Sequence, residues 1–235
     1  MSRLQEIVKS VIPRPIKQFL DKAHRDFVFR RAIKAFMRNP EACAHAGNRV
    51  LIDLIYGWGN EGWSALDEYL AACIHHVLRS DGPTLECGSG LSTIVLGVIA
   101  KKRGKSHWVL EDKAEWTVRV QQFLKRYNLD TVVLCETSLK GFGSFSWYDA
   151  PVESMPDFDL VICDGPPFST NGGRYGLAPI MKKRLKRGCI ILLDDAGREQ
   201  ERAIAERWKT ELGGSFEIFG STKPFIKMTV MNTRN

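Results

Sequence analysis

The stretch Thr84-Leu85-Glu86-Cys87-Gly88-Ser89-Gly90-Leu91-Ser92-Thr93 predicts a short apolar strand that turns directly into a helix. Gly88 and Gly90 allow the backbone to turn tightly and to approach a ligand closely. The N–H groups that open the next helix carry partial positive charge, which suits a carboxylate or a phosphate. The stretch therefore predicts a nucleotide-binding turn within an α/β domain.

Glu86 distinguishes this turn from a dinucleotide site. A pyrophosphate would be repelled by an acid two residues before the first glycine, and the G-x-G-x-x-G fingerprint requires a third glycine where Thr93 stands. An acid suits instead a ligand that presents an amino group and a carboxylate together. The methionine half of S-adenosylmethionine (SAM) is such a ligand.

Short apolar strands alternate with helices along the rest of the chain. Strands are predicted at 83–87, 107–111, 131–135, 158–164, 189–195, 215–219 and 225–231, and helices at 64–79, 91–102, 114–127, 175–186 and 198–211, with an irregular stretch at 137–156. The first of these helices has a capping box formed by Ser64 and Asp67. This alternation predicts a parallel sheet that helices cover on both faces.

Composition narrows the class of protein. A chain of 235 residues with 44% hydrophobic content can bury one large core. The six cysteines are isolated and mostly have apolar neighbours, which indicates buried free thiols in a reducing compartment rather than a zinc site. No apolar run reaches membrane-spanning length and no signal core opens the chain, so we expect a cytoplasmic protein.

The net charge of +7 belongs to the N-terminal segment. Residues 1–38 contain ten Lys and Arg against three acids, whereas the remaining 24 basic and 24 acidic residues cancel, so no nucleic-acid-binding face is expected there. Apolar residues at 4–12 and 29–37 have helical spacing, with Pro13 and Pro15 between them. We predict a basic helical extension over 1–60 and a catalytic domain over 61–235. The extension packs on the domain with a solvated basic face, or it docks on an anionic membrane or a partner.

Acidic residues end four of the predicted strands. They are Glu86, Glu111, Asp164, Asp194 and Asp195. The carboxyl ends of parallel strands form the ligand-binding edge of such a sheet, so these acids are expected to meet there. Glu111 follows Gly90 at a spacing at which a carboxylate accepts hydrogen bonds from ribose hydroxyls, although it could also serve only as an acid at a helix N-terminus.

These residues resemble the class I SAM-dependent methyltransferases. More narrowly, Trp147-Tyr148, Asp164-Gly165-Pro166-Pro167 and Asp194-Asp195-Ala196-x-Arg198 are similar to a bacterial branch of small-molecule and sugar O-methyltransferases. The resemblance covers about residues 60–232 and implies a Rossmann-like α/β fold, with a seven-stranded, mostly parallel sheet that ends in a reversed C-terminal hairpin. It also implies ligands of SAM: the methionine part is bound by Glu86, Gly88, Ser89, Gly90 and Ser92, the ribose by Glu111, and the adenine by the loop containing Glu136, Thr137 and Ser138.

The resemblance also implies a possible metal site. Asp164, Asp194 and Asp195 match positions at which metal-dependent sugar O-methyltransferases hold Mg²⁺. Those enzymes have an acid where this chain has Pro166, and catechol-type relatives have Asn where it has Ala196. In the alternative, Asp194 caps the following helix and Asp195 bonds nearby backbone. Without a metal, Asp164 is the candidate base or substrate-orienting acceptor.

We expect SAM-dependent methylation of a hydroxyl on a small molecule or sugar. The candidate catalytic residues are Asp164, Arg174 and Tyr175, and the two latter, with Arg198, would grip an anionic acceptor. Gly165-Pro166-Pro167-Phe168 resembles a motif of N-methyltransferases that act on nucleobases or protein side chains, with Gly in place of its polar residue. A SAM-binding protein without turnover is a third reading.

Overall fold

The computed structural model describes residues 13–60 and 65–231. Its main sheet contains seven strands in the order β3-β2-β1-β6-β7-β9-β8. The strands, numbered in chain order, are β1 (Thr84–Cys87), β2 (His107–Glu111), β3 (Val132–Glu136), β4 (Leu139–Gly141), β5 (Ser146–Tyr148), β6 (Phe158–Cys163), β7 (Leu185–Leu193), β8 (Ser215–Phe219) and β9 (Phe225–Thr229). Strand β9 runs antiparallel to β7 and β8, and the other pairs of the main sheet are parallel. The predicted fold class, including the reversed C-terminal hairpin, is confirmed.

Helices cover both faces of this sheet. They are α1 (Arg14–Arg38), α2 (Arg49–Trp58), α3 (Asp67–Val77), α4 (Leu91–Arg103), α5 (Ala114–Arg126), α6 (Leu177–Met181) and α7 (Glu199–Leu212). Strand β6 shows how the two cores arise, because successive side chains of a strand point to opposite faces. Leu160 and Ile162 join the core beneath α1 to α5, whereas Val161 and Cys163 join the core beneath α6 and α7.

The central position of β1 determines where a ligand can lie. All four residues of β1 are buried, and the strand pairs with β2 on one side and β6 on the other. The chain therefore moves outward in both directions from β1, which opens a crevice above the carboxyl ends of these strands.

Two segments differ from the predicted elements. The stretch 137–156 contains the hairpin of β4 and β5, in which Trp147 and Tyr148 are buried. The helix predicted at 175–186 consists of α6 between two 3₁₀ turns, Gly173–Gly176 and Lys182–Arg184, and β7 already begins at Leu185. Gly173 and Gly176 lie in the first 3₁₀ turn, and Pro179 lies in the first turn of α6, where its missing N–H costs no helical bond. In the capping box predicted for α3, Ser64 lies outside the described residues, and Leu66 is the N-cap without a side-chain bond.

Helix α1 begins at the two prolines that lie between the predicted helical segments. Pro13 is the N-cap of α1 and Pro15 lies in its first turn, where the missing N–H has no helical partner to lose. The helical segment predicted at 4–12 lies outside the described residues. The second half of α1 is packed: the Phe29 ring lies 5.2 Å from that of Phe123 and 6.2 Å from that of Trp58. The described part of 13–60 thus shares one apolar core with α4 and α5, while the domain boundary at 60 stays a prediction.

Two sequence expectations concern cysteines and membranes. All six cysteines are free thiols; five are buried, and Cys135 is partly exposed. Among the described residues, no helix combines the length and the apolar character needed to cross a bilayer.

Candidate functional site

A cavity of about 530 Å³ lies above the carboxyl ends of β1, β2, β6 and β7. Its walls include Glu86, Gly88, Ser89, Ser92, Glu111, Asp112, Lys113, Trp116, Tyr148, Asp164, Gly165, Phe168, Arg174, Asp195, Arg198 and Lys223. The volume lies in the range of pockets that hold cofactor-sized molecules. The structure thus brings the predicted nucleotide turn, Glu111 and most of the acidic cluster to one site.

Gly88 and Gly165 both line the cavity, and their backbones approach each other closely. Gly88 has a φ of +84°, in the region that favours glycine, and a Cβ there would lie 3.1 Å from the backbone nitrogen of Gly165. A Cβ on Gly165 would lie 2.5 Å from the Tyr148 hydroxyl oxygen. The loops after β1 and β6 can therefore approach each other this closely only because both positions are glycine.

Glu86 is held in place by a buried network. Its Oε1 accepts a hydrogen bond of 2.5 Å from the Ser92 hydroxyl, and its Oε2 lies 2.9 Å from Nε2 of His107. The other ring nitrogen of His107 lies 2.7 Å from the Thr84 hydroxyl. His107 is fully buried, and neither it nor Thr84 was singled out from the sequence because their link to Glu86 crosses from β2 to β1.

Glu111 is oriented by the nucleotide turn. The amide and hydroxyl of Ser89 donate to its Oε2 at 2.8 Å and 2.6 Å, and the Lys113 amide donates to Oε1 at 2.8 Å. Burial raises the pKa of Glu111, and the Ser89 and Lys113 hydrogen bonds act in the opposite direction. The structure therefore couples the acid after β2 directly to the glycine turn after β1.

Tyr148 contributes a hydroxyl that the sequence analysis did not select. This oxygen is buried on the cavity wall and has no hydrogen-bond partner among the described residues. Burial raises the pKa of Tyr148 well above its ordinary value, so the hydroxyl keeps its proton and can donate. A buried donor without a partner is uncommon in proteins, and here it borders a ligand-sized space.

Three predicted cofactor residues do not line the cavity. Gly90 precedes α4, and its amide donates to the Thr93 hydroxyl. Thr137 and Ser138 follow β3; the Thr137 amide donates to the carbonyl of Glu111, and the Ser138 carbonyl accepts from Asp149. Trp116, which the sequence analysis did not assign to the cofactor, lines the cavity instead.

The acidic residues of β6 and β7 converge as the sequence predicts. Asp164, Asp194 and Asp195 each offer a carboxylate oxygen, and these oxygens lie within 4.8 Å of one another. Lys223 lies between two of them, with Nζ 2.6 Å from Oδ2 of Asp194 and 3.0 Å from Oδ1 of Asp195. Arg174 Nη2 contacts Asp164 Oδ1 at 3.0 Å and Asp195 Oδ2 at 2.9 Å. Side-chain cations therefore neutralise the carboxylates, and this arrangement does not support a Mg²⁺ site.

The capping alternative for these acids is also corrected. The N-cap of α7 is Arg198 and receives no side-chain bond, whereas Asp194 Oδ1 accepts from the neighbouring Asp195 amide at 2.8 Å. Asp195 has a φ of +63°, which is uncommon for a residue with a side chain. Its carboxylate contacts cationic side chains rather than nearby backbone, with Arg198 Nη1 2.8 Å from Oδ2.

Burial and neighbouring charges shift the pKa values of three members of the cluster. Burial raises the pKa of Asp164 to about 7, with Arg174 opposing and Asp194 reinforcing this shift. Burial alone would raise the pKa of Asp195, but Arg174 and Lys223 bring it below its usual value. Burial would lower the pKa of Lys223, but Asp194 raises it above its usual value, so the ammonium stays charged. Asp164 is therefore the member of the cluster that can exchange a proton near neutral pH.

Two predicted catalytic residues have other partners. Tyr175 lies outside the cavity wall: its hydroxyl donates to Glu211 at 2.6 Å, and Arg207 lies over its ring at 3.4 Å. The Arg174 side chain is only 3% exposed and is engaged by Asp164 and Asp195. Intramolecular partners orient both side chains, and Arg174 lines the cavity; that these two residues grip an acceptor stays a prediction. Arg198 remains 42% exposed at the cavity and stacks on Phe168.

This chain is similar to known proteins in structure but not detectably in sequence. The sequence matches no protein-family model, and no curated protein is detectably similar to it. An O-methyltransferase from Bacillus cereus in complex with SAH superposes with a TM-score of 0.55 at 15% identity, over 96% of each chain. A precorrin-6y C5,15-methyltransferase from Geobacter metallireducens superposes with a TM-score of 0.52 at 18% identity, over 72% of this chain and 90% of that one.

A 16S rRNA methyltransferase from T. thermophilus in complex with AdoMet and guanosine has a TM-score of 0.51 at 14% identity, over 72% of this chain and 44% of that one. The chain therefore shares the fold of these methyltransferases. Because their acceptors differ, the fold does not define which atom receives the methyl group.

Proposed function

We propose that the chain is a methyltransferase that binds SAM in the 530 Å³ cavity and methylates a hydroxyl of a small molecule or sugar without a bound metal. The observation that carries this proposal is the meeting of the Gly88-Ser89 turn, Glu111 and Asp164 around one cavity. These groups come from three strands, and each has a chemistry that one part of the reaction requires.

The cavity matches SAM in its charged and hydrogen-bonding groups as well as in its volume. Glu86 provides negative charge for the amino group, and the N-terminus of α4 provides N–H groups for the carboxylate. Glu111 provides a carboxylate for the ribose hydroxyls. The unpartnered Tyr148 hydroxyl supports the fit further, because a bound ligand would supply the acceptor that it lacks.

We place the adenine beside Trp116 rather than in the loop of Thr137 and Ser138. Trp116 borders the cavity that Glu111 also lines, and it stacks on Trp58 with 6.4 Å between the ring centroids. Arg119 lies over both rings, at 4.1 Å from Trp58 and 5.1 Å from Trp116. A rigid aromatic face of this kind suits a planar base. Trp58 itself is 3% exposed and belongs to the core.

The proposed reaction depends on positioning and on one proton acceptor. SAM supplies an electrophilic methyl group on its sulfonium. Asp164 borders the cavity with its side chain 30% exposed, and it accepts the hydroxyl proton of the acceptor. Arg174 fixes the Asp164 carboxylate from the buried side, and Lys223 keeps Asp194 and Asp195 neutralised beside it. The turn and Glu111 hold the methyl donor in line with that hydroxyl.

Methylation of a nitrogen is the second candidate. Phe168 borders the cavity, is 49% exposed, and is stacked by Arg198 at 4.9 Å, so it offers a face to a planar acceptor such as a nucleobase. Gly165 provides no polar side chain for an amino group, which favours the hydroxyl acceptor.

Calorimetric titration with SAM and with its demethylated product tests the cofactor proposal. We expect both to bind, and we expect Glu111→Ala to weaken binding by about ten- to a hundredfold, because it removes charge-assisted hydrogen bonds. Glu217→Ala is the matched control, since Glu217 is exposed on β8, and it should bind as the parent does.

Two outcomes of this titration would contradict the proposal. A parent protein that binds neither compound would exclude SAM as the cofactor. A folded Glu111→Ala variant with unchanged affinity would exclude the ribose role. If SAM binds but no product forms with any hydroxyl or amine acceptor offered, the protein is a SAM-binding protein without turnover.

A further inference from the structure

The first half of α1 presents an apolar stripe to solvent. Ile16, Phe19, Leu20 and Phe27 are 51%, 71%, 51% and 64% exposed. Their spacing of three and four residues, with Ala23 between them, places them on one face of the helix. Four large apolar side chains together on a solvent-facing helix need a partner to cover them.

This stripe belongs to a part of the helix that no other part of the described ranges, 13–60 and 65–231, covers. Residues 13–24 are all exposed. The helix first contacts α2 where His24 and Arg25 hydrogen-bond to Tyr56. The ten residues 14–23 extend about 15 Å beyond that contact. The buried face, formed by Phe29, Ile33 and Phe36, is confined to the second half of α1.

Four cationic side chains lie on the same outward face of α1, C-terminal to the apolar stripe. Arg30, Arg31, Lys34 and Arg38 are exposed on the side of α1 opposite its buried residues. Within residues 13–60 and 65–231, no ion pair involves these four side chains. Over its whole length α1 contains eight Lys and Arg against two acids, Asp21 and Asp26. The face is therefore apolar toward the N-terminus and cationic toward the C-terminus.

We propose that α1 docks on an anionic membrane surface. The apolar stripe would enter the boundary between headgroups and acyl chains, while the four cations lie against anionic headgroups. Charge complementarity selects this occupant, because a bilayer provides an apolar layer and a negatively charged layer side by side. The proposal does not depend on the methyltransferase function, since none of these residues lines the cavity.

Co-sedimentation of the full-length protein with large unilamellar vesicles tests the docking. We expect binding to vesicles of phosphatidylcholine with roughly 30 mol % phosphatidylserine, and much weaker binding to pure phosphatidylcholine. The double variant Phe19→Ser with Phe27→Ser should reduce partitioning by about tenfold or more. Arg31→Glu with Lys34→Glu should reduce it similarly, and about 1 M salt should weaken binding of the parent.

Matched variants elsewhere on the surface show whether vesicle binding is specific to this face of α1 or nonspecific. Val118→Ser with Ile218→Ser removes two exposed apolar side chains, and Lys183→Glu with Arg187→Glu reverses two exposed charges; both should bind as the parent does. A parent that stays in the supernatant with anionic vesicles overturns the proposal. Unchanged vesicle binding by the double variant Phe19→Ser with Phe27→Ser also overturns the proposal. A dimer in light scattering that the same changes dissociate would identify the stripe as a self-association face instead.

Discussion

The ammonium of Lys223 contacts Asp194 and Asp195 at 2.6 Å and 3.0 Å, in the space between carboxylates that would otherwise suit a divalent cation. Asp194 is fully buried, and its Oδ2 accepts a bond from this lysine. A buried carboxylate that loses its partner is strongly destabilising. The lysine thus performs within the chain the neutralising role that Mg²⁺ would have among three acids.

Lys223→Ala should reveal that role. We expect the free energy of unfolding to fall by about 3 kcal/mol, and millimolar Mg²⁺ to raise the melting temperature of the variant but not of the parent. Lys186→Ala, which breaks an exposed pair with Asp159, should change stability by less than about 1 kcal/mol and show no Mg²⁺ effect. A parent protein that Mg²⁺ stabilises and EDTA destabilises would show that the lysine does not exclude the metal.

Asp164 predicts how stability depends on pH. Its pKa in the folded protein is raised to about 7, mainly by burial, whereas an unfolded Asp titrates near pH 4. The folded state therefore holds a proton that the unfolded state releases, and the stabilisation is complete below about pH 4 and is lost as pH rises toward 7. Urea unfolding at several pH values should show the parent losing stability relative to Asp164→Asn over that window, then levelling off. Parallel pH profiles for the two proteins would contradict the raised pKa.

At the scale of elements, α1 is one helix with an exposed first half and a packed second half. Hydrophobic spacing in its second half predicted a buried face, and Phe29, Ile33 and Phe36 form it. Pro13 and Pro15 lie at the start of α1, where a proline costs no helical hydrogen bond. Sequence periodicity could not show that the first half of the helix continues beyond its packing partner, since that depends on where α2 lies.

Phe29 and Phe27 offer a matched pair for testing this division of α1. Phe29 is 3% exposed and contacts three aromatic rings, so Phe29→Ala should lower the free energy of unfolding by about 3–5 kcal/mol. Phe27 is 64% exposed, and Phe27→Ala should stay within about 0.5 kcal/mol of the parent. Equal losses in urea denaturation would mean that the two halves of the helix are packed alike.

At the scale of the whole molecule, the cavity and the exposed face of α1 are formed by different residues. One apolar core nevertheless contacts both elements. Trp58 links them, because it packs on Phe29 of α1 and stacks on Trp116 at the cavity wall. Removing α1 would therefore remove core side chains as well as a surface. Substitutions confined to the exposed stripe separate the two roles without disturbing that core.

The sheet, the glycine turn and the meeting of acidic residues at the carboxyl ends of the strands all follow from the sequence. Strand periodicity and tight turns are local properties, and parallel strands bring their carboxyl ends to one edge whatever else the chain does. Gly88, Glu86, Glu111 and Asp164 were identified for that reason, and the structure brings all four to one cavity.

Which side chain contacts each of these acids depends on the tertiary structure. Lys223 is 29 positions from Asp194, Arg174 is 21 positions from Asp195, and His107 is 21 positions from Glu86. Nothing in local spacing encodes these distances, because they follow from how loops and neighbouring strands pack. Three carboxylates read in sequence suggest a metal site, and the lysine and arginine that fold between them make the cluster an ion-pair network instead.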